Sequence, residues 1–265
     1  MSPSIIQVKK LSKSFGDRLV LNGINLVIPE GKITVIMGGS GGGKSTLLRH
    51  MVGLTKPDAG SIEIEREDIV RLAPEKMNDV RRKFGMLFQG SALFNSMSVF
   101  ENVALPLREH TDLSDEIILI IVKVKLELVG LTGFEDFLPH QLSGGMRKRV
   151  ALARAIALDP KIVFYDEPGA GLDPITASMI DQLILDLSQK LQITSVVVTH
   201  EMQSAFRIAD QIVMLHKGKV LEVGRPEDIK TSSNPFVQQF IKGEHEGAIP
   251  FRQTREAYLK GLLET

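Results

Sequence analysis

Short apolar runs alternate along the chain with longer segments in which apolar residues recur at helical spacing. The short runs are rich in β-branched residues and predict strands at 5–9, 33–37, 162–165, 195–199 and 212–215; the run 84–88 is also interpreted as a strand. The runs that begin at 33, 162 and 195 are almost wholly apolar, as expected of strands covered on both faces. Because helical segments separate these strands, the pattern predicts an α/β core with a mainly parallel sheet.

Segment 175–190 has the clearest helical pattern. Asp173 is well placed to be its N-cap, and Pro174 to be its first helical residue. The predicted apolar face consists of Ile175, Met179, Ile180, Leu183, Ile184 and Leu187.

Residues 92–158 are predicted to form a helical insert. Ser98 and Glu101 match the capping box that opens a helix, and the segment 146–158 is rich in alanine and leucine. Residues 122–128 alternate between apolar and charged side chains, which locally favours a strand. We interpret them as helix because Ser114, Asp115 and Glu116 supply an N-cap and an acidic first turn.

Composition excludes several classes of protein. The 265 residues are 43% hydrophobic and 24% charged, with 32 basic and 32 acidic residues and no cysteine. A neutral chain has no global attraction to nucleic acid, and without cysteine it forms neither disulfides nor thiolate metal sites. The first ten residues show no secretory signal, and the apolar run 117–122 is far shorter than the roughly 20 residues of a membrane-spanning helix.

A glycine-rich loop carries the first chemical signal. It fits the P-loop pattern and lies between the strand 33–37 and a predicted helix that starts at Thr46. Glycines allow backbone N–H groups to wrap a phosphate, and the helix N-terminus adds its positive end. The sequence therefore predicts a nucleotide site in which Lys44 neutralises the β- and γ-phosphates and Ser45 binds Mg²⁺. The loop consists of Gly38, Gly39, Ser40, Gly41, Gly42, Gly43, Lys44 and Ser45.

Two acids complete the hydrolytic pattern. Asp166 and Glu167 follow the apolar strand 162–165 directly, and in an α/β sheet this places them beside the P-loop. We expect Asp166 to hold Mg²⁺ through water and Glu167 to act as the general base for the attacking water.

Further motifs resemble those of ABC transporter ATPases, over about residues 5–240. Residues 142–146 (LSGGM) resemble the signature motif of that family, and residues 171–173 (GLD) its D-loop. Gln89 is similar to the Q-loop glutamine, His200 to the switch histidine, and Phe15 to the aromatic residue that stacks on adenine. Met146 departs from the usual signature glutamine, and Gly169-Ala170-Gly171 from the usual T-S-G, which would alter contacts across a dimer.

The resemblance implies a P-loop NTPase (RecA-like) core, 1–91 and 159–242, with an N-terminal antiparallel β subdomain. It also implies a helical signature subdomain, 92–158, and a C-terminal extension, 243–265, that packs on a partner subunit. ATP would lie between the P-loop of one chain and the signature motif of a second copy, so that the motor is a homodimer. The resemblance also implies roles for individual residues. Hydrolysis would depend on Glu167, His200, Gln89 and Lys44, and Mg²⁺ would be bound by Ser45, Gln89 and Asp166. ATP would be bound by Phe15, residues 38–46, Gln89 and Asp166, and across the dimer by Ser143, Gly144, Gly145 and Asp173.

The insert gives a finer resemblance. Residues 93–111 and the tail residues Ile249, Pro250, Phe251 and Arg252 are similar to the ATPases of MCE-type lipid transporters, the Mla pathway that maintains outer-membrane lipid asymmetry. This resemblance implies phospholipid as cargo and a peripheral position on the cytoplasmic face of the inner membrane. It also implies two permease subunits, a lipid-carrying MCE protein and a small STAS-domain protein as partners. Exposed apolar residues of the insert, such as Phe94 and Phe100, would then face the permease.

Three alternatives stay open from the sequence. A soluble ABC ATPase acting on DNA or ribosomes would usually carry two ATPase halves, a coiled coil or a basic arm, none of which is evident here. A binding module without turnover would not need Glu167 and His200. An importer ATPase for an amino acid or a metal would share every motif, because cargo is chosen by partner subunits.

Overall fold

The computed structural model describes residues 3–245, 247 and 248. Strands and helices alternate along most of this length. The strands are β1 (Ser4–Phe15), β2 (Arg18–Pro29), β3 (Ile33–Met37), β4 (Ala59–Ile64), β5 (Glu67–Asp68), β6 (Phe84–Leu87), β7 (Ile162–Asp166), β8 (Thr194–Thr199), β9 (Gln211–His216) and β10 (Lys219–Gly224). The α-helices are α1 (Lys44–Met51), α2 (Pro74–Arg81), α3 (Val99–His110), α4 (Asp115–Leu128), α5 (Gly144–Ala155), α6 (Pro174–Leu191), α7 (Met202–Ile208), α8 (Pro226–Lys230) and α9 (Pro235–Lys242). Two short 3₁₀ turns, Ile69–Arg71 and Pro139–Gln141, complete the elements.

Two sheets organise the molecule. The larger has the strand order β10-β9-β3-β8-β7-β6 and is parallel except for the antiparallel pair β9–β10. The smaller has the order β2-β1-β4-β5 and is antiparallel. The predicted α/β core with an antiparallel β subdomain is therefore confirmed. Because parallel strands share their direction, the segments that follow β3, β6, β7 and β8 all start at the same edge of the larger sheet.

The larger sheet is buried on both faces. Alternate residues of β3 divide between two apolar clusters: Val35 and Met37 pack towards α3, α4, α5 and α6, whereas Ile36 packs towards α1 and the smaller sheet. Every residue of β3 and β8 is buried, which explains why these segments read as continuous apolar runs.

The predicted elements are present, with different ends. β1 continues to Phe15 instead of ending at 9, because its second half still pairs with β2. Residues 122–128 form the end of α4, as predicted. Their charged residues follow helical spacing: Lys123 is exposed, whereas Lys125 is buried and paired with Asp159 at 2.5 Å.

Helix α6 begins as predicted but differs on its apolar face. Asp173 accepts hydrogen bonds from the N–H groups of Ile175 and Thr176, both at 3.0 Å, and so caps the helix. Ile180, Ile184 and Leu187 are buried. Ile175 and Met179, predicted to share that face, are instead 70% and 62% exposed, so the first turns of α6 present apolar surface to solvent.

No helix in the described part of the chain is long and apolar enough to cross a membrane. The predicted tail anchors Ile249, Pro250, Phe251, Tyr258 and Leu259 lie outside the described residues.

Candidate active site

The P-loop joins β3 to α1 and requires glycine at both ends. Gly38 has φ 149°, and a Cβ there would lie 1.9 Å from the carbonyl oxygen of Leu215. Gly43 has φ 98°, and a Cβ there would lie 2.8 Å from Cδ2 of Leu21. Within the described residues, no side-chain hydrogen bond caps the N-terminus of α1, whose N-cap is Gly43. This arrangement suits a phosphate, which a helix N-terminus binds through its first N–H groups.

Lys44, the first residue of α1, turns back onto the P-loop. Its Nζ donates hydrogen bonds to the carbonyl oxygens of Gly38 at 2.8 Å and Gly39 at 3.1 Å, and the residue is only 8% exposed. Burial lowers the pKa of Lys44, while the charges of Glu167 and Asp166 act in the opposite direction. The ammonium group is thus held inside the loop, next to two carboxylates.

Asp166 closes β7 opposite the start of α1. The hydroxyl of Ser45 donates to its Oδ1 at 3.4 Å. Burial and the neighbouring charge of Glu167 raise the pKa of Asp166, against the effects of Ser45, Arg49 and Lys148. A hydroxyl and a carboxylate are the oxygen ligands that Mg²⁺ takes beside substrate phosphates. Among the described residues there is no group of three or more histidine, aspartate or glutamate side chains that could hold a metal ion.

Glu167 is held by the strand next to its own. Its Oε2 lies 2.9 Å from Nδ1 of His200 and accepts a hydrogen bond from the hydroxyl of Thr199 at 3.3 Å. Its backbone N–H donates to the carbonyl oxygen of Val198 at 2.8 Å. Because a carboxylate only accepts, Nδ1 carries the proton of the bond to His200, which leaves Nε2 for a further partner. The structure thus brings a carboxylate and an imidazole together at the edge where the P-loop lies.

Phe15 lies at the mouth of a cleft beside the P-loop. The cleft has a volume of 270 Å³ and is lined by Phe15, Arg18, Val20 and residues 41–46. The ring of Phe15 is 53% exposed, and Nζ of Lys13 lies 5.5 Å from its centroid. An exposed ring at this place can stack on a planar base.

The signature motif and the D-loop contact each other within one chain. The hydroxyl oxygen of Ser143 accepts from the N–H of Met146 at 3.2 Å and so caps α5. A Cβ at Gly145 would lie 2.4 Å from Cγ2 of Thr176, the residue whose N–H and hydroxyl bond to Asp173. The carboxylate of Asp173, predicted to bind nucleotide, is thus engaged by its own helix. Within residues 3–245, no hydrogen bond joins Ser143 to the P-loop.

Gln89 follows β6 with an exposed side chain, while its backbone oxygen is held by Lys148. Sequence reasoning missed three residues of the site: Lys148, Thr199 and Arg18. In the sequence, Thr199 is distinguished only by its place before His200, and Lys148 only by its place within the predicted helix 146–158. Neither position indicates a contact with Gln89 or Glu167.

An apolar groove lies beside the Q-loop, between β6, α3 and α5. It has a volume of 460 Å³, and Phe94, one of its exposed residues, has half of its surface open to solvent. Phe100, expected to be exposed in the same way, instead packs against the core, with the guanidinium of Arg108 5.8 Å from its ring centroid. The apolar residues that line the groove include Phe84, Met86, Phe88, Phe94, Leu105, Pro106 and Leu158.

Comparison with known proteins gives three findings. Residues 21–170 match the family model described as ABC transporter. The chain is 44% identical over 264 residues to the intermembrane phospholipid transport system ATP-binding protein MlaF of Haemophilus influenzae, covering all of both chains. It is 42% identical over 251 residues to the probable ribonucleotide transport ATP-binding protein mkl of Mycobacterium leprae, covering 95% of this chain and 72% of that protein.

A solved structure resembles the fold. It is the dimeric ATP-binding cassette MJ0796 in a post-hydrolysis state bound to ADP and Pi, with a TM-score of 0.77 and 34% identity. The match covers 83% of this chain and 98% of the cassette.

Proposed function

The chain belongs to the ABC transporter family as an ATP-hydrolysing subunit, and from that premise we propose that it drives phospholipid transport between the membranes of a double-membrane bacterium. The observation that supports phospholipid as the cargo is the 44% identity to MlaF over the full length of both proteins. The mycobacterial relative, which is named for ribonucleotide transport, is matched over only 72% of its length.

The hydrolytic roles follow from the site. Lys44 and the P-loop backbone bind the phosphates, and Phe15 stacks on adenine. Glu167 accepts a proton from the attacking water, with Thr199 and His200 fixing the direction of its carboxylate. Nε2 of His200 is the group left to contact the γ-phosphate.

Ser45, Asp166 and Gln89 would hold Mg²⁺. When bound, this ion would supply the positive charge that neutralises the charge developing on the phosphates. Ser45 and Asp166 supply oxygens within 3.4 Å of each other, and the exposed side chain of Gln89 follows the neighbouring β6 at the same edge.

A homodimer would complete each site. Ser143 caps α5 through its oxygen, so its hydroxyl hydrogen stays available to a phosphate of the second copy, beside Gly144 and Gly145. Ile175 and Met179 support such a dimer, because they are large apolar residues exposed directly after the D-loop. Asp173 would act there by holding the start of α6 rather than by touching nucleotide with its carboxylate.

Two permease subunits would dock on the apolar groove that includes Phe94. The groove is lined mainly by apolar residues together with Glu109, His110 and Arg154, a mixture that suits a protein interface.

A STAS-domain protein and an MCE protein are the further partners we propose. Ile117, Ile120 and Val124 form an exposed apolar stripe along α4, which an accessory protein would cover. The extension 243–265 would pack on the partner subunit. The motor would then lie at the cytoplasmic face of the inner membrane, held there by the permease.

Affinity purification of the chain from its native membrane, followed by mass spectrometry of proteins and extracted lipid, tests the cargo. We expect a permease, an MCE protein, a STAS protein and phospholipid. A permease together with a soluble binding protein for a ribonucleotide, an amino acid or a metal would keep the motor and contradict the lipid assignment.

A further inference from the structure

Lys148 is a buried cation of α5 that the hydrolytic roles above leave unused. It is 4% exposed, and its Nζ donates to two backbone carbonyl oxygens, of Gln89 at 2.5 Å and of Glu167 at 3.3 Å. Within the described residues it forms no ion pair, although the charges of Asp166 and Glu167 act on it. A buried ammonium is costly unless it is hydrogen-bonded, so these two carbonyls define its place.

Glu167, one of the two partners of Lys148, has an unusual backbone conformation. Glu167 has φ 49°, a left-handed conformation that strains a non-glycine residue and persists only when its surroundings hold it. Lys148 and the N–H of Ala170, at 3.1 Å, both donate to its carbonyl oxygen. The direction of the Glu167 side chain therefore depends on bonds that include the one from Lys148.

Gln89, the other partner, belongs to the Q-loop segment, residues 89–92. Ser91 and Ala92 are also left-handed, with φ 64° and 49°. The guanidinium of Arg154, six residues after Lys148 on α5, donates to the carbonyl oxygens of Ser91 at 2.9 Å and Ala92 at 2.8 Å. Helix α5 thus holds the Q-loop segment at two points, and only the Lys148 point also reaches Glu167.

We propose that Lys148 is a positioning residue for ATP hydrolysis, which ties the backbone of Glu167 to that of Gln89 and so fixes the general base relative to the Q-loop. This inference rests on the assignment of Glu167 as general base. In this role the ammonium acts through the two backbones to which it donates. Its loss should therefore reduce kcat and leave ATP binding unchanged, because a displacement of about 1 Å can cost about 100-fold in rate.

The test compares Lys148→Met with Lys148→Arg in the full chain. We expect Lys148→Met to lower kcat of ATP hydrolysis by about 10- to 100-fold with KM within about twofold of wild type. Lys148→Arg, which keeps charge and donors, should recover most of the rate. Hydrogen exchange of the amides in 89–92 and 167–170 should be faster in Lys148→Met.

Lys125→Met is the matched control. Lys125 is 5% exposed and lies on α4, where it pairs with Asp159 away from the carboxylates of the site. The Lys125→Met variant should lose thermal stability, but its kcat and the hydrogen exchange of the amides in 89–92 should match wild type. Equal loss of kcat in both variants, or wild-type kcat in Lys148→Met, would overturn the proposal.

Two further variants settle the remaining cases. If Lys148→Met does not fold, Lys148→Gln decides, because its shorter amide cannot span both carbonyls: lowered kcat at wild-type KM supports the role, and unchanged kcat refutes it. Full turnover in Glu167→Gln would instead show that the general base is misassigned, independently of Lys148.

Discussion

Glu167 is the residue on which the hydrolytic assignment depends. Its carboxylate bonds to Thr199 and His200, and its backbone is held in a left-handed conformation. Glu167→Gln keeps the shape and removes the proton acceptor, so ATP should still bind while turnover falls by about 10²- to 10⁴-fold, the usual contribution of a general base. Steady-state hydrolysis and nucleotide binding measure the two effects. Glu127→Gln on the exposed side of α4 is the control, and wild-type turnover in Glu167→Gln would mean that another group is the base.

The site residues that could be predicted from the sequence are those that lie close to a predicted strand or motif. Asp166, Glu167 and His200 lie at or directly after the end of a strand, so the strand pattern placed them at one edge; Lys44 follows β3 through the P-loop, and that motif placed it there. Lys148 was not predicted, because its partners are backbone carbonyls 59 and 19 residues away, and any residue type supplies a carbonyl. Asn102 escaped for the same reason. It is buried, and its amide bonds to the backbone of Phe94, Met97 and Ser98, which holds the loop that presents Phe94.

The contact between β6 and α5 is so close that it requires glycine. A Cβ at Gly85 would lie 2.2 Å from the carbonyl oxygen of Ala155, which is backbone and cannot rotate away. Gly85→Ala should therefore destabilise the fold by about 1–3 kcal/mol, the usual cost of overpacking. Thermal unfolding should show a Tm lower by several degrees. Gly90→Ala has nothing within 4 Å of the added Cβ and should leave Tm unchanged; equal effects in both variants would refute the packing argument.

Glu65 connects the turn after β4 to the larger sheet. It accepts hydrogen bonds from Lys83 at 2.7 Å and from Lys161, and these bonds lower its pKa. A carboxyl whose pKa is depressed on folding stabilises the fold above its unfolded pKa, and this stabilisation is lost as pH falls through the folded pKa. Wild type should therefore exceed Glu65→Gln in stability at pH 7. The difference should shrink as pH falls below the unfolded glutamate pKa of about 4.3 and vanish only below the lower folded pKa. Urea unfolding across this range measures it. Glu67→Gln is the control, because this neighbour is exposed and forms no ion pair within the described residues; equal effects of the two substitutions would refute this role of Glu65.

Helix α4 forms although part of its sequence locally favours a strand. Its alternating residues 122–128 resemble a strand, and the acidic first turn gave the correct assignment. The strands β2, β4, β5 and β10 were not predicted. In β2, exposed and buried residues are both frequently apolar, with Leu19 and Val27 each 51% exposed, so the period-two signal is weak.

Across the whole molecule, the nucleotide site and the apolar groove share the Q-loop as a border. Phe94 is half exposed, so Phe94→Asp should fold normally and keep the basal ATPase of the isolated chain. Its binding to the membrane subunits should weaken by about 2 kcal/mol or more, roughly 30-fold, as for a central aromatic residue of an interface. Co-purification with the permease and lipid transport in reconstituted vesicles measure this loss. Leu54→Asp, equally exposed but outside the groove, is the control, and unimpaired transport by Phe94→Asp would remove the groove as the docking surface.

Because no hydrogen bond joins Ser143 to the P-loop within the described part of one chain, a pair of different variants can test whether Ser143 serves the nucleotide of the second copy. If each ATP lies between the P-loop of one copy and the signature motif of the other, Ser143→Arg and Glu167→Gln homodimers should both be nearly inactive. Mixed dimers of the two variants, isolated through two different affinity tags, keep one intact site of two and should hydrolyse ATP at about half the wild-type rate. The matched control pairs wild type with a chain that carries both substitutions. Each of its sites then lacks one group, so it should be inactive. Activity in the control and none in the first pair would mean that Ser143 serves the nucleotide of its own chain.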